Sequence, residues 1–141
     1  MSTRLSQTPA RIVGLAPETL LRLAQEFQRF AQAEEGTQAA MLATIDGFEI
    51  ASRLVASGFR TQNLAAMASS LTAISRAITK EISFDGCDRL LLESVSGKII
   101  FQPVTALGVP CTICLAVSVK AMLGRTLWSL DEFVKHLRSL T

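Results

Sequence analysis

The chain has 141 residues, which corresponds to one domain and leaves no room for a second independent core. Apolar residues make up 49% of the chain and charged residues only 18%, so we expect a partner to cover part of the apolar surface. The 14 basic and 12 acidic residues give a formal charge of +2, and no apolar run approaches the roughly 20 residues that cross a bilayer. We therefore expect no nucleic-acid partner and no membrane insertion.

Cysteine usage and the N-terminal sequence both indicate the cytoplasm. Three cysteines, an odd number, fit a reducing compartment better than a disulfide framework. Residues 1–15 are interrupted by Ser, Thr, Gln and Pro, and they lack the apolar centre of a secretory signal. We predict that residues 1–15 form a flexible extension and that residues 16–141 form the domain.

The pattern becomes regular at Pro17, where a first helix is predicted to begin and to continue to about Gly36. Its apolar residues recur at helical spacing: Leu20, Leu23, Ala24, Phe27, Phe30 and Ala31. Two short apolar runs follow, over residues 39–45 and 48–54, and Asp46-Gly47 separates them. Because both turn residues tolerate positive φ, the sequence predicts a tight β-hairpin.

The second helix, predicted over residues 62–82, carries two different stripes. The large apolar stripe consists of Leu64, Met67, Leu71, Ile74 and Ile78. The small stripe consists of Ala66, Ser70, Ala73 and Ala77. In one interpretation the large side chains cover a sheet, while the small ones let another backbone approach closely. In the other, alanine simply promotes helix formation, and periodicity alone leaves both interpretations open.

Three more strands and a final helix complete the predicted domain. The strands span residues 88–95, 98–104 and 109–119, with a turn at Ser96-Gly97 between the first two. The helix spans residues 120–140. Hairpin turns between neighbouring strands predict an α+β fold with a mainly antiparallel sheet, which excludes a doubly wound nucleotide-binding fold.

The chain offers few residues for catalysis or metal binding. Cys111 and Cys114 have the spacing of a redox pair or of half a zinc site, but in a strand an offset of three places them on opposite faces. His136 is the sole histidine and lies in the last turns of the final helix, where it suits the helix dipole. The remaining candidates also suit turns and solvent-facing positions: Asp85, Cys87, Asp88 and Glu93. We predict no catalytic residue, no cofactor and no metal site.

Trp128 falls on the polar side of the predicted final helix. An exposed tryptophan can anchor a partner. It could also pack under the N-terminal extension or against the first helix, and we favour this packed arrangement.

Three segments together resemble the roadblock family of dynein light chains and their bacterial relatives. These segments are the hairpin MLATIDGFEIASRL (41–54), the Ala/Leu/Ile helix (64–82) and the strand pair RLLLESVSGKIIFQPV (89–104). The similarity covers residues 17–140, and its most specific part is Asp46-Gly47 followed by Ile50-Ala51-Ser52. It implies a five-stranded antiparallel sheet with the second helix on one face and the two terminal helices on the other.

The resemblance also implies a dimer. Family members pair through the second helix and the third predicted strand, which joins two sheets into one. The residues expected to contact the partner chain are Leu64, Met67, Leu71, Ile74, Ile78, Leu90 and Leu92. Which helix stripe faces the partner stays open.

The resemblance finally implies a function. Roadblock proteins are not enzymes, and many bind Ras-like small GTPases as scaffolds or as stimulators. We therefore expect a cytoplasmic, non-enzymatic homodimer that regulates or scaffolds a small GTPase. The alternatives are a small-molecule sensor of profilin-like or PAS-like type, a structural subunit of a larger complex, and an enzyme that uses Cys87 or the Cys111/Cys114 pair.

Overall fold

The structure, a computed structural model, describes residues 2–5, 15–55 and 60–140. Within these residues the helices are α1 (Pro17–Ala33), α2 (Thr61–Glu81) and α3 (Leu123–Ser139). The strands are β1 (Ser2–Leu5), β2 (Thr37–Thr44), β3 (Glu49–Leu54), β4 (Leu90–Ser94), β5 (Gly97–Ala106) and β6 (Val109–Ser118). Every helix and strand predicted from the sequence is present, with small shifts at the ends.

The strands form one antiparallel sheet in the order β1-β3-β2-β6-β5-β4. The five predicted strands and the α+β class are confirmed, and β1 adds a further strand at one edge. It pairs with β3, so that Thr3 lies opposite Arg53. The sequence analysis instead assigns all of residues 1–15 to a flexible extension. Four residues without a clear alternation carry no signal for a long-range pairing. Residues 6–14 of that extension lie outside the described residues.

Helices cover both faces of the sheet, in the arrangement that the resemblance implies. α1 and α3 cover one face over the larger core cluster, which includes Leu20, Phe27, Leu42, Ile113, Leu115, Leu130 and Leu137. α2 covers the other face over a smaller cluster of Met41, Ala43, Ala65, Ala68, Phe101 and Cys114. β6 contributes to both clusters, which explains its nearly continuous apolar sequence.

The predicted β2–β3 hairpin is present, and its turn depends on glycine. Gly47 has a φ of 96°, in the left-handed region that favours glycine. The amide of Gly47 donates a hydrogen bond to the carbonyl oxygen of Thr44 at 2.9 Å. The hairpin is thereby closed next to the start of α2.

The β4–β5 turn lies one residue earlier than the sequence analysis predicts. Val95 and Ser96 form the turn, and Gly97 already belongs to β5, opposite Ser94. A Cβ atom at Gly97 would overlap the carbonyl oxygen of Val117 in β6. Glycine is therefore needed here for a close approach between two backbones and not for the turn itself.

Candidate interaction surface

α2 meets the sheet with small side chains. The buried residues on its sheet-facing side recur at spacings of three and four: Thr61, Ala65, Ala68, Thr72 and Ser75. The hydroxyl of Thr72 donates to the carbonyl oxygen of Ala68 at 2.9 Å, and the hydroxyl of Ser75 donates to that of Leu71 at 2.7 Å. These bonds within the helix satisfy both hydroxyls, so they can be buried against the sheet.

The large stripe does not cover the sheet, which corrects the first interpretation of the second helix. Met67, Ile74 and Ile78 are 63%, 55% and 57% exposed. Leu64 and Leu71 are only partly buried, at the margin of the smaller cluster. The physical reason is volume: the sheet already fills this layer with Met41, Phe101 and other side chains, so small residues fit on the helix. The small stripe is exposed as well, so both stripes lie outside the core.

The seven residues predicted to contact a partner chain lie on one side of the sheet. Leu90 is partly buried against the same cluster as Leu64 and Leu71. Leu92 lies two residues further along β4, on the same face, and is 46% exposed. We call this set the α2–β4 patch: Leu64, Met67, Leu71, Ile74, Ile78, Leu90 and Leu92. Exposed apolar side chains grouped in this way make the patch a candidate interaction surface.

The backbone of β4 adds to this surface. β4 is the last strand of the sheet, and within the described residues it pairs only with β5. Its outer amide and carbonyl groups are therefore available to another strand.

Sequence reasoning missed two exposed apolar residues that follow α2. Ile82 and Phe84 follow the C-terminal end of α2 and are 54% and 66% exposed. The helical periodicity ends near these residues, so it did not assign Ile82 and Phe84 to an apolar stripe. The sequence does contain a signal: two large apolar residues lie shortly before Gly86, in a connecting segment where polar residues are usual.

The paired cysteines lie on opposite faces of β6, as the sequence analysis expects for a strand. Cys111 belongs to the cluster under α1 and α3, whereas Cys114 belongs to the cluster under α2. Burial raises the pKa of each thiol to about 12. Both side chains are therefore inert packing residues at neutral pH.

His136 connects two helices. Its Nε2 atom lies 2.7 Å from the Oε2 atom of Glu26, a hydrogen bond between α3 and α1. Within the described residues, no group of three or more His, Cys, Asp and Glu side chains is placed to hold a metal ion. The acidic candidates Asp85, Asp88 and Glu93 are all exposed. No helix in the described part of the chain has the length and apolarity of a membrane span.

Of the two packed arrangements predicted for Trp128, the described residues test only packing against the first helix. Trp128 is 65% exposed on the outward side of α3, so it does not pack against α1 within the core. A groove lies beside it, lined in part by Phe30 and Glu34 near the end of α1. The helical phase of α3 predicted the polar side correctly, whereas packing against α1 is wrong. Packing under the N-terminal extension stays a prediction, because residues 6–14 lie outside the described residues.

A family model places this chain in a known class. The Roadblock/LC7 domain matches residues 23–117, which include the hairpin, α2 and most of the sheet. The chain belongs to the Roadblock/LC7 domain family, as the sequence resemblance indicated. A search of curated proteins gives no match to this chain.

Solved structures show the same fold. MglB of Myxococcus xanthus is 13% identical with a TM-score of 0.72, and the match covers 83% of this chain and 92% of that one. A structure titled "MglB with tetrameric arrangement" is 16% identical with a TM-score of 0.74, covering 88% and 90%. A Roadblock/LC7 domain from Streptomyces avermitilis is 16% identical with a TM-score of 0.68, covering 82% and 93%. At these identities the similarity concerns the fold.

Proposed function

We propose that the protein is a cytoplasmic, non-enzymatic homodimer that regulates or scaffolds a Ras-like small GTPase. The observation that carries this proposal is the α2–β4 patch, an exposed apolar surface beside an open strand edge on a roadblock domain. The roadblock resemblance supports it, since family members pair through these two elements and bind small GTPases. A sheet extended across two chains offers a wide and rigid platform for a mobile switch loop.

The size of the patch fits a second copy of the chain. Met67, Ile74, Ile78 and Leu92 are each about half exposed or more. Burying the exposed part of each would contribute about 1 to 2 kcal/mol, and a symmetric contact doubles the set. The total is similar to the cost of association, about 4 to 15 kcal/mol. We therefore expect backbone pairing along β4 to complete a stable dimer.

Two further observations bear on the choice of function. One structural neighbour is described with a tetrameric arrangement, which supports self-association in this fold. A sensor would need room for a ligand, but the cavity beside Thr72, Cys87 and Phe101, between α2 and the sheet, is only about 10 Å³. That volume scarcely admits one water molecule, so this region does not favour the sensor alternative.

Dimer formation is tested by changing the outward side of α2. The double variant Ile74→Glu/Ile78→Glu places charge where the patch would be buried, so we expect a monomer in size-exclusion chromatography with light scattering. Leu21→Glu is the matched control, because Leu21 is 47% exposed on α1, on the other face of the sheet. This variant should remain a dimer. A wild-type protein that is monomeric at about 10 μM would contradict the proposal.

GTPase binding is tested with purified small GTPases of the source organism, each loaded with GDP or with a non-hydrolysable GTP analogue. We expect at least one to bind with an affinity that depends on the nucleotide, and to bind the Ile74→Glu/Ile78→Glu monomer more weakly. Hydrolysis rates with and without the protein then separate a stimulator from a scaffold. If no GTPase binds in either state, the GTPase part of the proposal is wrong, whatever the oligomeric state.

A further inference from the structure

The outward side of α3 carries a short charged and aromatic stripe. Arg125, Trp128 and Glu132 are exposed and follow one another at spacings of three and four residues. They therefore share the side of α3 that faces away from the buried Leu130 and Leu137. From the N-terminal to the C-terminal end, this stripe presents a positive charge, a large apolar surface and a negative charge.

A groove of about 640 Å³ lies beside this stripe, between α3 and the end of α1. Phe30 lines it, and the ring of Phe30 stacks on that of Phe133 with a centroid distance of 4.3 Å. Met122, also in the lining, is 72% exposed. The groove thus combines a firmly held aromatic wall with exposed apolar side chains, which suits docking of another protein surface.

Charges of both signs line the groove, and Glu132 of α3 is one of its acidic residues. Glu34 and Glu35 follow the C-terminal end of α1, while Lys120 and Arg125 lie at the N-terminal end of α3. The two glutamates lie at the negative end of the α1 dipole, and Lys120 and Arg125 lie at the positive end of the α3 dipole. Each pair is therefore repelled by the dipole of its own helix. Attraction between Glu34 and Arg125 offsets part of this repulsion within the chain. Opposite charges from a docked surface would offset more of it.

We propose that this face docks a second copy of the chain, with the two α3 helices antiparallel across a twofold axis between Trp128 and Ser129. Arg125 and Glu132 are equally far from that axis along the helix, so Arg125 of each copy meets Glu132 of the other. The two Trp128 side chains pack at the centre of the contact.

A second copy fits this face because the pattern complements itself. A ligand of one charge sign would match only some of the charges that line the groove. Glu132 also pairs with Lys135 at 3.2 Å within α3. Both side chains of that pair are exposed, and exposed pairs contribute little, so Glu132 can exchange this partner for Arg125 of the second copy.

This contact is independent of the α2–β4 patch, because α2 and α3 lie on opposite faces of the sheet. Together the two contacts would assemble dimers into species of four or more chains. A contact centred on one helix belongs to the small and weak class of interfaces. We therefore expect these larger species at protein concentrations on the order of 0.1 to 1 mM.

The test uses charge reversal in the Ile74→Glu/Ile78→Glu background, where only the α3 contact would remain. We expect this background, which should be monomeric at about 10 μM, to dimerise weakly in sedimentation equilibrium at about 0.1 to 1 mM. Arg125→Glu or Glu132→Lys alone places like charges together and should raise the dissociation constant about tenfold. The swapped variant Arg125→Glu/Glu132→Lys restores opposite charges across the axis and should restore association. Trp128→Ala should abolish it.

The same variants in the otherwise wild-type chain separate this proposal from the dimer proposed above. If both contacts exist, the charge reversals convert larger species into dimers. If the α2–β4 contact fails and the α3 contact exists, wild-type protein dimerises and the charge reversals make it monomeric. Self-association that is unaffected by either single reversal, or a swap that fails to restore it, overturns the α3 contact. The α3 proposal is also overturned if Trp128→Ala abolishes GTPase binding but leaves self-association unchanged.

Discussion

Ser83 ends α2 in a conformation that glycine usually adopts. Its φ is 60°, in the left-handed region. The amide of Phe84 donates to the carbonyl oxygen of Thr79 at 2.8 Å, and the amide of Ser83 donates to that of Lys80 at 3.1 Å. These two bonds form a Schellman motif with Ser83 at the left-handed position. The motif directs the chain out of α2 and leaves Phe84 exposed.

Ser83→Gly should therefore stabilise the protein, by about 0.5 to 1 kcal/mol, because glycine has no Cβ penalty at positive φ. Urea denaturation followed by circular dichroism measures the change. Ser70→Gly is the matched control, since Ser70 is exposed inside the same helix and glycine there should destabilise by about 0.5 kcal/mol. Equal effects at the two positions would contradict the capping argument.

Glu34 is a partly buried acid beside the α3 groove. Burial raises the pKa of its carboxyl group above the ordinary value of 4.5, while the Ser129 hydroxyl and the Arg125 charge lower it. Because the folded protein binds this proton more tightly than the unfolded chain, Glu34 costs stability once it is ionised. The stability that the ionised carboxyl group costs is regained only as the pH falls through the raised pKa of the folded state.

Glu34→Gln should therefore be more stable than wild type at pH 7, and the difference should shrink as the pH falls towards 4.5. The amide keeps a hydrogen-bond acceptor for Ser129 and removes the cost of a buried charge. Melting temperatures from pH 3.5 to 8 provide the measurement, with Glu35→Gln at the exposed neighbouring position as control. If Glu34→Gln were instead less stable than wild type at pH 7, the Arg125 attraction would outweigh burial.

At the scale of elements, β5 and β6 form the longest strand pair among the described residues. The two strands pair along their whole length, from Gly97 opposite Ser118 to Ala106 opposite Val109. At the Gly97 end, the two backbones approach so closely that no Cβ atom fits. Gly124 in the first turn of α3 differs, since an added Cβ would meet nothing within 4 Å.

Gly97→Ala should destabilise the protein by about 1 to 3 kcal/mol, because β6 must move away to accommodate the methyl group. Gly124→Ala should stabilise it by about 0.5 to 1 kcal/mol, since alanine favours the helix. Chemical denaturation of both variants checks the two signs. If Gly97→Ala leaves the free energy of unfolding unchanged, the distance between β5 and β6 does not prevent a larger residue at position 97.

At the scale of the whole molecule, one sheet is shared by two helical layers. β6 crosses the centre of the sheet and places Cys111 under α1 and α3 and Cys114 under α2. A core divided by a single sheet should unfold as one unit, since neither layer retains its sheet face when the other is lost.

The two buried thiols make this cooperativity measurable. In a Cys87→Ser variant, Cys111 and Cys114 should resist a thiol reagent at pH 8, because both are buried and burial raises their pKa to about 12. With increasing denaturant, both should become reactive at one midpoint that coincides with the loss of helical signal. Earlier reaction of one cysteine would show that its helical layer opens separately.

Hydrophobic periodicity and turn residues were sufficient to predict most of the fold. Asp46-Gly47 marked the hairpin, and the apolar run of β6 indicated a strand covered on both faces. β1 was not predicted, because strand pairing depends more on a distant neighbour than on a local pattern of four residues. The exposure of Trp128 was not predicted, because periodicity gives the side of the helix on which a residue lies but not whether other residues cover that side.

By itself, the sequence determined the element order, the antiparallel sheet, the assignment of the cysteines to opposite faces and the α+β class, because these follow from local period and turn chemistry. The tertiary structure decided the orientation of α2. Met67, Ile74 and Ile78 look equally suited to cover a sheet or to remain outside it. Only the space already filled by Met41 and Phe101 decides which residues of α2 are buried, and it leaves the large ones at the surface.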